Sequence, residues 1–286
     1  MFGFINVYKE ENMTSHDVVS SLRKISGIKK IGHGGTLDPL ATGVLVIGIG
    51  DATRLFEYIN DTKEYIAEVL FGIATDTDDV TGKVISESNV IPNLLDIQKI
   101  STSFIGDIVQ KPPIYSALKS KGKKLYELAR KDLITLEDVH ERKATVFLFE
   151  ILDFNNDRLK VKIACSKGTY IRSIARDLGV KLNTCATLSK LERTKHGDFS
   201  VIDSIKLGDL NRDFLSRILK NPNDYINLSS IKLEDELLNK VLHGNKIKSV
   251  NVYPSNSLIK LLDLNDKLIG IGEVKEGFIC PVKIFK

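Results

Sequence analysis

The twenty residues Ile31 to Gly50, IGHGGTLDPLATGVLVIGIG, hold one acidic group, Asp38, and one other titratable side chain, His33. Everything else in the stretch is glycine, small polar, proline or aliphatic. An ionised carboxylate among apolar neighbours costs several kcal/mol unless a cation or hydrogen-bond donors compensate it. Asp38 is therefore either a turn-former at the surface or a group kept for chemistry. Asp-Pro, with Gly34-Gly35 just before it, favours the turn. The aliphatic run Val44 to Ile49 reads as a buried strand that ties the loop to the core, and this favours chemistry.

Other residue types along the chain bring chemistry only in combination. Tyr65 opens an alternating run to Ile73, where a tyrosine is ordinarily core or sheet surface. Leu191 alone reads as core. Arg172 alone reads as a phosphate contact or a solvated helix residue, and His33 as a loop histidine bonded to backbone. Asp76 to Gly82, DTDDVTG, offers oxygen ligands, but the glycine and distal glutamate of a calcium-binding loop are missing, so no metal is expected. Gly32 to Gly35 lacks the Gly-Lys-Ser/Thr ending of a phosphate-binding loop.

The elements that would position these groups follow from periodicity. Met1 to Val7 is an apolar strand, and Thr14-Ser15 caps a helix from His16 to Ile25. Val44 to Ile49 and Tyr65 to Ile73 are strands, and Leu94 to Phe104 is an amphipathic helix. Two prolines interrupt Gln110 to Tyr115, after which Lys124 to Lys131 is helical. Ala144 to Phe154 and Arg158 to Cys165 form a strand pair across an Asn-Asn-Asp turn. Thr169 to Leu178 is helical, and Leu233 to Phe285 breaks into short strands.

At 286 residues, 42% hydrophobic and 27% charged, the chain has ordinary globular composition and room for one large and one small domain. No apolar run is long enough to cross a bilayer, and the N-terminus lacks the pattern of a signal peptide. Cys165, Cys185 and Cys280 are dispersed, which argues against a disulfide framework or zinc site and for a cytoplasmic protein. The net charge of +4 is unevenly spread. Residues 1–110 carry a net −6, 111–143 a net +4, and 158–195, with ten basic and two acidic residues, a net +8. Such concentration is expected of a face that binds a polyanion.

The segment GHGGTLDPLATGVLVIGIGDATRL closely resembles the catalytic motif of the TruB family of tRNA pseudouridine synthases. Three further segments match in the family's order: Lys63-Glu64-Tyr65, then KPPIYSALKSKGKKLYELAR from Lys111, then CSKGTYIRSIARDLG from Cys165. The likeness spans roughly residues 1–205, and the tail, with HGNKI and LIGIGEVKEG, looks like a small, reduced PUA module. It implies an α+β pseudouridine-synthase fold, with a central mixed, largely antiparallel sheet flanked by helices and a small β-rich C-terminal PUA-like domain. The implied division is a catalytic domain at 1–225, carrying an RNA-clasping insertion at about 110–143, and an RNA-binding domain at 226–286. The implied activity is isomerisation of uridine 55 in the tRNA T-loop, by base flipping and without metal or cofactor. The protein would act as a monomer on the T-arm, with no membrane and no obligate protein partner.

By the same resemblance Asp38 is the catalytic aspartate and Arg172 its counter-ion, expected to hold it through a bidentate pair. Tyr65 is the active-site tyrosine, stacking on the base, its hydroxyl implicated in removing the proton from carbon 5. Tyr170 and Leu191 line the base pocket, and His33 fills the gap left by the flipped base. Lys9, Lys121, Lys123 and Lys124 would contact RNA. One departure stands at Lys9, where the family's Pro-x-Gly is replaced by Glu10-Glu11-Asn12, so the following loop is expected to be more mobile. Two other readings remain at this point: a tRNA-binding or folding helper without turnover, and a pseudouridine synthase acting on another RNA. Asp38, Tyr65 and Arg172 together favour catalysis, because binding alone needs no such set.

Overall fold

The N-terminal apolar run forms β1 (Gly3–Lys9), and Thr14 then caps α1 (Ser15–Ser26). The Thr14 hydroxyl accepts the Asp17 N–H at 3.1 Å while the Asp17 carboxylate accepts the Thr14 N–H at 2.8 Å, a reciprocal capping box. The computed structural model describes residues 1–285 apart from 117, 121, 132, 250 and 251; the side chains of Lys119 and Ser120 are also outside the description.

Along the chain come β2 (Ile31–His33), β3 (Thr42–Ile49), β4 (Lys63–Phe71) and a short hairpin of β5 (Ile73–Thr75) with β6 (Val84–Glu87). The acidic DTDDVTG loop is the tip of that hairpin. Next are α2 (Leu94–Ser101), β7 (Gly106–Gln110), a small hairpin of β8 (Lys119–Ser120) with β9 (Lys123–Lys124), and α3 (Leu125–Ala129). Then β10 (Arg142–Asn155) and β11 (Arg158–Cys165) pair across the expected turn, where Asn156 takes φ 54°. After α4 (Ile171–Lys181) come β12 (Ala186–His196), β13 (Phe199–Ser200), β14 (Ile205–Lys206) and α5 (Arg212–Ile218). The tail contributes β15 (Ser229–Lys232), α6 (Asp235–Leu242), β16 (Ile247–Lys248), β17 (Leu258–Leu262), β18 (Leu268–Lys275) and β19 (Phe278–Ile284).

The large sheet runs β14-β1-β3-β12-β4-β11-β10-β7, with β2 added to β3 and β13 to β12. Its pairs are antiparallel except β1 with β14 and β3 with β12. The β3–β12 junction is only two residue pairs long, Thr42↔Glu192 and Gly43↔Arg193. A cavity lined by Asp38, Leu191 and Arg193 lies beside this junction. Gly43 is required at the seam: its φ is +98°, and a Cβ there would collide with the Arg193 backbone.

Burial alternates along β4, with Tyr65, Ala67, Val69 and Phe71 facing a core shared with α1, α2 and α4 through Leu22, Ile97, Ile174 and Leu178. A second cluster joins Phe4, Val44, Val46, Leu55 and Phe199 to Ile226, Leu262, Leu268, Ile271 and Phe285 of the tail. The tail also has its own five-stranded sheet, β15-β17-β18-β19-β16, over a third cluster. An α+β fold with a mixed, mainly antiparallel sheet is therefore what the chain adopts.

Candidate active site

Asp38 forms the turn and also lines a cavity. Its carbonyl accepts the Ala41 N–H at 3.0 Å, closing the Asp-Pro turn, while its carboxylate turns to Arg172, 2.9 Å from Oδ2 to Nε. The loop carrying it is fastened on two sides. From α1, the Ser15 hydroxyl bonds both ends of the Leu37 peptide unit, accepting its N–H at 2.8 Å and donating to its carbonyl at 3.1 Å. From β1, the Lys9 ammonium donates to Pro39, Met13 and Glu10 carbonyls at 3.3, 2.7 and 2.8 Å.

Lys9 is therefore corrected: it does not stand on an RNA-facing surface. It is fully buried, its three hydrogens are taken by backbone, and burial pulls its pKa down to about 8. The loop after it is likewise tied down, with the Asn12 N–H bonded to the Pro39 carbonyl at 2.9 Å. Asn12 sits at φ 63°, a left-handed conformation that asparagine tolerates where the family has glycine, so the departure keeps the turn.

Arg172 is 5% exposed. Besides Asp38, its Nη1 donates to the Thr77 carbonyl at 2.9 Å and lies 3.5 Å from the Asp79 carboxylate, and Nη2 donates to the Tyr115 carbonyl at 3.1 Å. The expected bidentate grip on Asp38 is absent because these partners occupy the fork. Single-point contact leaves one Asp38 oxygen facing the cleft, and the Asp38 side chain stays 35% exposed. The acidic loop thus has a use that charge counting does not disclose: Asp79 backs Arg172, and Asp78 pairs with Arg176 at 2.7 Å. Burial pushes the Asp78 carboxyl up to about 6, against the pull of Arg176 and Arg172.

Asp38, Tyr65, Tyr170, Arg172 and Leu191 line one cavity of about 260 Å³, just below the size range of small-molecule pockets at roughly 300–1,000 Å³ and suited to a single base. Burial pushes the Tyr65 phenol up to about 12 and also raises Tyr170. Tyr170 is set by a side chain with no obvious signal in the sequence: Gln110, nearly fully buried, accepts the Tyr170 N–H at 2.7 Å and donates to its carbonyl at 3.4 Å. The prolines that follow Gln110 end β7 there and aim its amide at α4.

His33 is not in the cavity wall. It ends β2 opposite Ile47, half-buried, its Nδ1 enclosed without a hydrogen-bond partner among the described residues, and burial lowers its pKa. Lys123 and Lys124 are exposed on the small hairpin, away from the cavity lining, with Lys124 Nζ 3.3 Å from the Tyr126 hydroxyl. Lys121 lies outside the described residues. The +8 segment is only partly outward-facing, because Arg172 and Arg193 are buried and Arg176 is held by Asp78.

Joined to the cavity wall through Lys63 is a partly buried charged group that the sequence reading missed. Asp61 bridges the Lys63 ammonium and His196 Nε2, the latter at 3.0 Å. Burial pulls His196 down to about 4 against the opposing effect of Asp61; for Asp61, burial acts upward but the His196 and Lys63 bonds outweigh it and bring it to about 2. Gly34 lies against this group: a Cβ there would stand 2.7 Å from a Phe56 ring carbon and 3.3 Å from His196. Among the described residues no cluster of His, Cys, Asp and Glu could hold a metal ion, and no helix is long and apolar enough to cross a membrane.

Comparison with known proteins places the chain in a family. Residues 23–171 match the family model described as TruB family pseudouridylate synthase (N terminal domain), and residues 229–285 match that of pseudouridine synthase II TruB, C-terminal. The chain is 41% identical to tRNA pseudouridine synthase B of Clostridium tetani over 97% of its own length and 98% of that protein. It is 42% identical to tRNA pseudouridine synthase B of Caldanaerobacter subterraneus over 99% of each. The fold superposes on a chain of an H/ACA RNP bound to a substrate RNA containing 2'-deoxyuridine with a TM-score of 0.74, at 23% identity, covering 100% of this chain and 85% of that one. A chain of a Cbf5-Nop10-Gar1 complex gives 0.73 at 24% identity, covering 100% and 84%.

Proposed function

The chain belongs to the TruB family of pseudouridylate synthases, and from that premise we propose that it converts uridine to pseudouridine at position 55 of the tRNA T-loop. It would work in the cytoplasm as a monomer, without cofactor. The observation that carries the reading is the Asp38–Arg172 pair at 2.9 Å in a base-sized cavity walled by Tyr65, Tyr170 and Leu191.

The reaction is an isomerisation. The bond from N1 to the ribose breaks, the base turns, C5 bonds to the ribose in its place, and C5 loses its proton while N1 gains one. No electrons are gained or lost overall. The target base must leave the folded T-loop to reach a cavity of this shape. Asp38 presents its free oxygen as nucleophile to base or sugar, and Arg172 fixes its direction. Covering the cleft with the base removes Asp38 from water, which strengthens its interaction with Arg172 when charge moves.

Tyr65 and Leu191 supply the faces between which a flat base fits. With its pKa near 12 the Tyr65 phenol is protonated at neutral pH, so its hydroxyl serves carbon 5 as a relay rather than as a standing base. The exposed Lys123 and Lys124, on the segment at about 110–143, would hold the RNA backbone together with Lys121. We treat 1–225 as the catalytic unit and 226–286 as a second RNA-contacting unit, a division supported by the separate family model over 229–285.

The test is incubation with unmodified tRNA transcript followed by pseudouridine mapping. The parent is expected to modify position 55 alone. Asp38→Asn should keep tRNA affinity within a few-fold and abolish turnover, since shape stays and the reactive charge goes. Turnover by D38N, or modification elsewhere than the T-loop, would defeat the reading.

A further inference from the structure

Arg193 is a fully buried cation at the end of β12, and nothing in the chemistry above uses it. Its Nε donates to the Val44 carbonyl at 2.7 Å, Nη2 to the Gly35 carbonyl at 3.1 Å, and Nη1 faces the Thr36 carbonyl at 3.5 Å. Val44 belongs to β3, and Gly35 and Thr36 to the loop that carries Asp38. A guanidinium has five hydrogens in a rigid fork, so three anchors fix its plane and leave two hydrogens unspent. Across the strand pair Arg193 is in direct register with Tyr65. The guanidinium is near enough to draw the Tyr65 phenol down against the upward push of burial. Both residues line the cavity.

We infer that Arg193 is a positioning residue for Tyr65, its plane set by three carbonyls of β3 and the Asp38 loop so that its remaining edge orients the phenol over the base. The inference rests on the pseudouridine-synthase reading. A buried charge is costly unless every bond it makes is well formed. Three carbonyls would be as well satisfied by neutral amides or an ammonium, and neither would reach Tyr65 with a fixed plane. Helix α4 cannot supply this service, because Arg172 is committed to Asp38, Thr77, Asp79 and Tyr115. Lys63 cannot either, since its ammonium is held by Asp61. The arrangement makes the Asp38 loop and the tyrosine strand one frame at the two-residue seam between β3 and β12.

The experiment is a double-mutant cycle of Arg193→Lys and Tyr65→Phe on the full chain, with Arg193→Gln as a second variant that keeps donors and loses charge. Single-turnover rate at saturating unmodified tRNA transcript, tRNA affinity and thermal melting are measured for each. R193K and R193Q are expected to melt cooperatively, bind tRNA within a few-fold of the parent and lose about 100-fold in rate, the scale of a misplaced catalytic group. In the Y65F background the same changes should cost no more than about twofold, because uncoupled sites add within roughly that margin and a shared route does not. Losses that multiply would overturn the inference, as would a Y65F protein turning over at the parent rate while R193K is slow. If neither Arg193 variant folds, the residue is scaffold and the inference falls. A parent that forms no pseudouridine would instead overturn the functional reading, before any variant is compared.

Discussion

At the residue scale, Asp38 shows why an isolated carboxylate is worth following. Turn chemistry and site chemistry compete for it in the sequence, and the fold gives its backbone to the turn and its side chain to Arg172. Asp38, Tyr65, Tyr170 and Arg172 were legible because they fall in motifs that stand in a fixed order, and Leu191 followed from the family resemblance; all five line one cavity. Lys9 was misread because a lysine's type does not disclose its direction, and three backbone carbonyls met its ammonium in the interior. Arg193 and His196 were invisible for the same reason. His196 carries a prediction of its own. Its pKa falls from 6.5 when unfolded to about 4 when folded, so the unfolded chain takes up a proton between those pH values that the folded chain refuses. The stability this imidazole contributes is present above 6.5 and is lost as pH falls toward 4, at up to about 1.4 kcal/mol per pH unit. Asp78, shifted the other way, acts oppositely over part of this range, so the test compares the parent with His196→Asn and lets Asp78 cancel. The gap in unfolding free energy between the two should narrow from pH 7 to pH 4 in denaturant titrations. A constant gap would mean His196 takes up its proton alike in the folded and unfolded chain.

At the element scale, periodicity and punctuation were sufficient for most of the large sheet. The Thr14 capping box, the alternation along β4 and the turn at Asn156 are local features, and local features are readable. The DTDDVTG loop was not readable, because its worth lies in the arginines of α4, about ninety-five positions away along the chain as the Thr77–Arg172 bond shows. The hairpin of β8 and β9 is the element on which the RNA-clasping reading can be tested. Lys123 and Lys124 are exposed there, and among the described residues Lys124 meets the Tyr126 ring and hydroxyl. If both meet phosphate, changing them together to Ala should lower the slope of log affinity against log salt by roughly 1.4 to 1.8 units, two lost contacts at about 0.7 to 0.9 each. Rate at saturating RNA should hold, since neither lines the cavity. Affinities at four salt concentrations decide it. An unchanged slope would move the RNA contacts to outward lysines of β11 and β12, such as Lys160 and Lys190.

At the scale of the whole molecule, the charge map and the core map disagree with a simple division of labour. The +8 stretch suggested a single polyanion-binding face, but part of that charge is structural, turned inward at Arg172, Arg176 and Arg193. Counting charge along a chain cannot separate a cation that meets solvent from one that meets carbonyls. In the same way the short strands after residue 226 suggested a separate module, whereas Ile226, Leu262, Leu268, Ile271 and Phe285 close a core with Phe4, Val44, Val46, Leu55 and Phe199. Phe285 is 5% exposed, its ring 5.7 Å from that of Phe2 and 5.5 Å from the Arg54 guanidinium. A shared core makes the tail and the large sheet unfold together. Phe285→Ala should therefore destabilise the whole chain by about 3–5 kcal/mol, the usual result of emptying a buried phenylalanine site. Melting should stay a single transition and move down by roughly ten degrees, given about 2–4 °C per kcal/mol at this chain length. Single-turnover rate at 25 °C should stay near that of the parent, because Phe285 does not line the cavity. Calorimetry that showed a lowered first transition and an unmoved second one would mean the tail melts alone. In that case the cluster around Phe4 would be a docking contact between two independent units rather than one core.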